Sequence, residues 1–185
     1  MSTFTNAADG AAEEAAAYVD AVLGLLGDRD PLAVLRATAG ELRAAVGGVP
    51  DAVLRRPEAA GRWSVGEVLA HLADSELVWA VRLRMVLGQE RPALAGYDQD
   101  AWARRMRYAD VDPRRSLERF AGVREWNLSL AGRLPDTELD RVGLHGERGE
   151  ESVRHMIRLY AGHDLVHLAQ VRRILSAAEG SGDDE

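Results

Sequence analysis

The chain has 185 residues, of which 46% are hydrophobic, and a formal net charge of −7. This length suits a single domain with a substantial core. The acidic balance argues against electrostatic binding of nucleic acid or of an anionic membrane. The chain has no cysteine and all 23 basic residues are arginine, which excludes a disulfide framework, a protein thiol nucleophile and a Schiff-base lysine.

The two ends of the chain differ in composition from the rest. Residues 1–10 and 179–185 are small, polar and aperiodic, so we predict disordered tails around a single domain at 11–178. The first residues do not combine a basic start with an apolar stretch, and no run of about 18 apolar residues occurs. We therefore expect a soluble cytoplasmic protein.

Apolar residues recur at helical spacing along most of the chain, and no strand alternation stands out. We predict an all-α fold with a four-helix core and an extra N-terminal helical segment from about 11 to 26, joined to the next helix through either a break or a kink at 27–30. Capping signals at Asp30-Pro31, Ser64 with Glu67, and Asp112-Pro113 mark the starts of three core helices. The fourth is predicted from 150 to 177, and 134–149 is interpreted as a loop.

Two histidines in the last predicted helix are candidate metal ligands. His163 and His167 stand four residues apart on the apolar seam of that helix, so both imidazoles face the core. Unpartnered polar rings are costly there, and a divalent metal would satisfy their nitrogens. His71, on an apolar face of the second core helix, is the best third ligand, because metal sites form between facing helices of bundles.

Carboxylates and aromatic residues near these histidines are candidates for further roles. Asp74 and Glu76 are interpreted as possible partners of His71 or as a catalytic base, with solvent-exposed helix carboxylates as the alternative. Arg82 is interpreted either as a ligand for a substrate carboxylate or as the partner of a glutamate. His145, in a glycine-flanked loop, is expected at the surface, with a place at the mouth of the binding pocket as the alternative.

The aperiodic stretch 88–112 is interpreted as a functional connection, because long irregular segments in compact domains often line binding sites. It contains Tyr97, Asp98 and Trp102, which we take as candidate substrate-binding residues. Tyr160, on the seam one step before His163, is a further candidate.

Several short motifs occur here in a characteristic order: Trp63-Ser64, the segment HLADSE at 71–76, Arg82-Leu83, an aromatic and acidic stretch at 97–102, and HxxxH at 163–167. In this order and spacing the chain resembles the DinB-like superfamily, and within it the YfiT-type branch of metal-dependent hydrolases, over residues 30–177. The resemblance implies a four-helix bundle with up-down-down-up connectivity, generally dimeric. It also implies that His71, His163 and His167 bind a divalent metal, zinc or nickel.

The resemblance implies two kinds of activity on a small-molecule substrate. Some members of the superfamily are transferases that use a low-molecular-weight thiol such as bacillithiol or mycothiol, and others are described as hydrolases. We therefore expect a metal-dependent thiol transferase or hydrolase that forms a homodimer. The alternative is a non-catalytic metal-binding or stress-related binding protein.

Overall fold

A computed structural model describes residues 11–180. Helices account for most of this range, in chain order: α1 Ala11–Leu26, α2 Pro31–Val46, α3 Asp51–Leu54, α4 Val65–Gly88, α5 Gln99–Arg105, α6 Pro113–Ala131, α7 Asp136–Leu139 and α8 Val153–Gly180. Three short strands lie between them: β1 Ala93–Leu94, β2 Val142–His145 and β3 Gly149–Ser152. The predicted all-α class is confirmed in its main feature, a four-helix bundle.

The core helices begin where the capping residues predict. Asp30 accepts a hydrogen bond from the Leu32 amide ahead of Pro31, and Asp112 caps α6 in the same way. At α4 the Ser64 hydroxyl accepts from the Glu67 amide, and the Glu67 carboxylate accepts from the Ser64 amide. Each cap satisfies backbone amides that have no partner within their own helix.

Helices α2, α4, α6 and α8 enclose the core, in which α4 packs on α6 and α2 packs on α8. Two apolar clusters fill it. One lies around Leu69, Phe120 and Val171, and the other around Trp79 and Met156. None of the helices in residues 11–180 is long and apolar enough to cross a lipid bilayer.

Helix α1 is a separate element that packs against α8. Gly27, at a φ of 56°, turns the chain between α1 and α2, which decides between the two predicted alternatives in favour of a break. Contact with α8 is close at Gly162, where an added Cβ would lie 2.4 Å from the carbonyl oxygen of Val22. Glycine is therefore required at this crossing.

The small sheet corrects the sequence prediction. Strands β2 and β3 form an antiparallel hairpin and β1 pairs with β2 in parallel, although we expected loops at 88–112 and 134–149. These strands are two to four residues long, too short for alternation to be recognised. Helix α8 consequently begins at Val153 rather than at residue 150. It continues to Gly180, so the first two residues of the tail predicted at 179–185 are helical instead. Residues 1–10 and 181–185 of the predicted tails lie outside the described residues.

Candidate metal centre and adjoining cavity

Three histidine side chains from α4 and α8 meet in the interior. His71, His163 and His167 are each at most 4% exposed, and one ring nitrogen from each lies within 4.8 Å of the others. The Nε2 atoms of His71 and His163 are 3.2 Å apart. We call this set the three-histidine cluster; it brings together the three ligands that the sequence suggests.

The donor geometry fits a divalent ion. Two imidazole nitrogens bonded to one tetrahedral zinc at about 2.0–2.1 Å stand about 3.3 Å apart, close to the observed Nε2 separation. Nε2 of His167 is buried and has no hydrogen-bond partner among the described residues. A metal ion would satisfy this nitrogen, whose unpaired burial is otherwise costly.

Gln170 fixes the orientation of one ring. Its Oε1 lies 2.9 Å from Nδ1 of His167. Because an amide oxygen can only accept, Nδ1 carries the proton and Nε2 is left with a lone pair that faces the cluster. Gln170 thus holds His167 in the tautomer that a metal requires.

The electrostatic environment keeps the cluster uncharged. Burial, followed by repulsion from neighbouring histidines, holds the pKa of His71 and of His163 well below the usual histidine range. Burial also lowers the pKa of His167 to about 4, against the opposing effect of its bond to Gln170. Neutral imidazole is the form that binds metals, so the cluster is ready to do so at neutral pH.

A buried ion network lies beside the cluster and connects four helices. Arg124 of α6 donates to both carboxylate oxygens of Asp164 on α8, at 2.5 and 3.0 Å, and to Glu76 on α4 at 2.8 Å. It also donates to the Leu35 carbonyl on α2, and Asn127 donates to the other Glu76 oxygen at 2.8 Å. These five residues form what we call the buried ion network.

Glu76 is a structural member of this network. Burial raises the pKa of Glu76, while Arg124 and Asn127 oppose that rise. Both of its carboxylate oxygens have protein partners, so Glu76 is held by α6 in this structure rather than by His71. Asp164, one residue after His163, positions α8 through Arg124 in the same way.

A narrow cavity opens onto the cluster at His163. Its wall includes Arg82 from α4, Tyr97 from the 88–112 stretch, and Tyr160 from α8. The β-hairpin contributes His145 and Arg148. A second, wider groove reaches the cluster from His167 and Gln170 and is bordered by Trp63. The three-histidine cluster is therefore approached through two openings.

The aromatic residues predicted for the site lie in or behind the wall of this cavity. Tyr97 and Tyr160 both line the cavity. The Tyr97 hydroxyl lies 2.9 Å from that of Ser75, and the Tyr160 ring stacks on Trp79 with ring centroids 5.0 Å apart. Trp102 packs against Tyr97 behind the cavity wall.

Two of the acidic candidates have structural partners. Asp98 caps α5 by accepting from the Ala101 amide, and Asp74 accepts from the Tyr108 hydroxyl at 2.5 Å. Their carboxylates are thus held by a helix start and by the short 3-10 helix at Tyr108–Asp110.

Sequence reasoning missed three residues. His145, expected at the surface, is 3% exposed because it lies in β2. Arg124 is buried on α6, although a charged side chain gives no local signal of burial. Gln170 was visible on the α8 seam, three residues after His167, and its spacing was the available signal.

Comparison with known proteins agrees with this geometry. The sequence profile of the DinB superfamily matches residues 35–171. A relative from Oceanobacillus iheyensis, provisionally named a metal-dependent hydrolase, is 31% identical over 136 residues, which is 74% of this chain and 78% of the relative. The similarly named YfiT of Bacillus subtilis is 29% identical over 76% of this chain and 80% of its own.

The solved structure of Bacillus subtilis YfiT is also similar in fold. It superposes with a TM-score of 0.73 at 28% identity, covering 78% of this chain and 83% of that protein. YfiT is described there as a probable metal-dependent hydrolase with an unusual four-helix bundle topology.

Proposed function

This chain belongs to the DinB superfamily, and from that premise we propose that it binds a divalent metal through His71, His163 and His167 and catalyses a reaction on a small molecule. The reaction is a hydrolysis or a group transfer to a low-molecular-weight thiol such as bacillithiol or mycothiol. Zinc and nickel are the proposed metals, because three imidazoles suit either ion. The observation that carries the proposal is the unpartnered, buried Nε2 of His167 beside two other inward-facing imidazoles.

A catalytic site is favoured over a purely structural one by what surrounds the cluster. Structural zinc sites fill all four positions with protein ligands, whereas catalytic sites keep one for water or substrate. Glu76, a carboxylate on the same helix as His71, has both oxygens engaged by Arg124 and Asn127 and is not free to serve as a fourth ligand. This arrangement supports an enzyme over the alternative of a non-catalytic metal-binding or stress-related protein.

When bound, such an ion supplies Lewis acidity, which makes a coordinated water or thiol acidic near neutral pH. The residues of the chain provide the rest of the site. Gln170 orients His167, the buried ion network fixes α4 and α8 through Arg124, and Tyr97 and Tyr160 form a wall that limits access of water. The two openings, at His163 and at His167, suit a reaction with two substrates and so favour transfer to a thiol.

An activity comparison tests this proposal. Tag-free protein loaded with zinc or nickel is assayed for thiol transfer with monochlorobimane and either bacillithiol or mycothiol, and for hydrolysis on a panel of esters and amides. We expect metal-dependent turnover that chelator removes and that His167→Ala lowers by at least about 100-fold.

His155→Ala is the matched control, since this histidine lies on the same helix outside the cluster. It should retain full turnover. Metal-loaded protein that is inactive throughout the panels, or activity that is equal in the His167 variant, would contradict the proposal.

We further propose a cytoplasmic homodimer without a nucleic-acid partner, in keeping with the net charge of −7. Sedimentation equilibrium of the purified protein checks the assembly. A mass of one chain across micromolar concentrations would rule out the dimer and leave the proposed chemistry of the metal site untouched.

A further inference from the structure

Arg82 is a buried arginine whose charge is not used in an ion pair. It is 6% exposed, yet no carboxylate of the described residues lies within 4.0 Å of its nitrogens. Its Nη2 donates to the Ala95 carbonyl, while its Nε is buried without a hydrogen-bond partner among residues 11–180. Buried charges are normally paired, because removing them from water is costly.

The nearby acidic groups do not pair with Arg82. Glu151 accepts from Arg148 through both of its oxygens, at 2.5 and 3.1 Å. Hydrogen bonding to Arg148 lowers the pKa of Glu151 more than Arg82 does, and Arg82 acts only at longer range. Glu147 lies on the same hairpin and also stays beyond 4.0 Å of Arg82. The guanidinium therefore keeps an unmet preference for an anion in the wall of the cavity.

His145 contacts the same guanidinium. Its Nε2 is 3.2 Å from Nη2 of Arg82, and its Nδ1 is 3.3 Å from the Glu147 amide nitrogen. Both neighbours are donors, but a neutral imidazole has only one nitrogen that can accept. Because a guanidinium can only donate, Nε2 accepts from the closer and charged Nη2 of Arg82, and Nδ1 carries the proton. His145 thus holds the Arg82 guanidinium at the cavity wall and leaves the buried Nε of Arg82 for an anion.

The same cavity leads to the three-histidine cluster, since Arg82, His145 and His163 all line it. Tyr97 and Tyr160 give its wall an aromatic character. Such a mostly apolar pocket with a few convergent polar groups is the usual form of a small-molecule site. Its narrowness favours a planar carboxylate, which matches the guanidinium fork, over a bulky tetrahedral anion.

We propose that this cavity binds the carboxylate of a small organic acid, with the Arg82 guanidinium as the anion donor, His145 as the residue that positions it, and the remainder of the acid directed towards His163. Arg82 is then the residue that selects carboxylate substrates. A reaction at the part of the acid near His163 rests on the proposed metal-dependent function. Binding of the carboxylate at Arg82 requires no metal.

A titration of metal-free protein tests the subsite. Sodium acetate is added to chelator-treated wild-type protein at constant ionic strength, and the Nε–H resonance of Arg82 is followed by NMR. We expect a saturable shift with acetate and none with neutral acetamide. A shift that stays linear with acetate, or an equal response to acetamide, overturns the subsite, and tighter binding of phosphate overturns the carboxylate assignment.

Variants assign the binding to this arginine. Arg82→Gln should weaken acetate binding at least tenfold. Arg91→Gln is the control, because Arg91 is an exposed arginine that pairs with Glu150, and it should bind acetate as the wild type does. Unchanged affinity in Arg82→Gln overturns the proposal, and if that variant does not fold, the wild-type resonance still decides the matter.

The two proposals can fail separately. Acetate binding without any zinc binding would end the proposed metal chemistry and leave the anion subsite in place. Zinc binding and turnover without saturable acetate binding would end only the subsite.

Discussion

At the scale of single residues, the site depends on polar groups whose partners come from distant parts of the chain. Arg124 is 2% exposed and is paired with Glu76 and Asp164. Asp164 immediately follows His163, the first histidine of the HxxxH pair, so the position of the ligand helix is coupled to an arginine on α6. This coupling explains why an ion network stands beside a metal site in an otherwise apolar core.

We expect Arg124→Met to destabilise the protein by about 3–5 kcal/mol, because it leaves two buried carboxylates without their cation. Urea unfolding of metal-free protein measures the effect. Arg43→Met is the matched control, since Arg43 forms an exposed pair with Glu118, and such pairs contribute little. Similar losses in the two variants would show that the buried ion network does not stabilise the bundle.

At the scale of elements, the crossing of α1 over α8 depends on one glycine. Gly162 has the Val22 carbonyl oxygen 2.4 Å and the Val22 Cγ1 2.5 Å from where a Cβ would stand. Gly122 in α6 has no atom from outside its own helical turn within 4 Å of that position. The same substitution at these two helical sites therefore separates packing from helix propensity.

Gly162→Ala should lower the free energy of unfolding by about 1–3 kcal/mol through overpacking. Gly122→Ala should raise it by up to about 1 kcal/mol, because alanine favours the helix. Chemical denaturation of both variants checks the signs. Stabilisation by Gly162→Ala would mean that α1 does not pack on α8 as described.

The elements also show what could be read from the sequence. Capping residues such as Asp30, Ser64 and Asp112 act locally, so they predicted the starts of three core helices. The histidine pair was equally visible, because its spacing matches the helical repeat. The short strands, and with them the burial of His145, depend on pairing between segments far apart in the chain, which no local pattern encodes.

At the scale of the whole molecule, burial of uncharged histidines makes stability depend on pH. In the folded protein the pKa of His145 and of His167 is lowered to about 4, from an ordinary value of 6.5. The unfolded chain therefore takes up protons first as the pH falls. The stabilisation is complete above about pH 6.5 and is lost towards about pH 4.

Metal-free protein should accordingly unfold at lower urea concentration at about pH 4.5 than at about pH 7.5. Glu76, whose pKa is raised by burial, acts in the opposite direction, because its folded form binds a proton more readily. His145→Gln should reduce the acid sensitivity. Stability that is constant or rises on acidification would contradict the described burial of these rings.

Metal binding should also raise global stability by linkage. Free zinc at about 100 times its dissociation constant stabilises a folded state by about 2.7 kcal/mol. We expect zinc to raise the melting temperature of the wild type and of His155→Ala, and to leave that of His167→Ala unchanged. An equal rise in all three would indicate that zinc binds elsewhere.

The central claim is that His71, His163 and His167 hold one common ion. The most direct test is anomalous diffraction, above and below the zinc edge, from crystals of tag-free protein loaded with zinc. The account predicts a single strong peak per chain, about 2.0–2.1 Å from one nitrogen of each ring. A peak bound by other residues, or no peak within reach of all three rings, would contradict it.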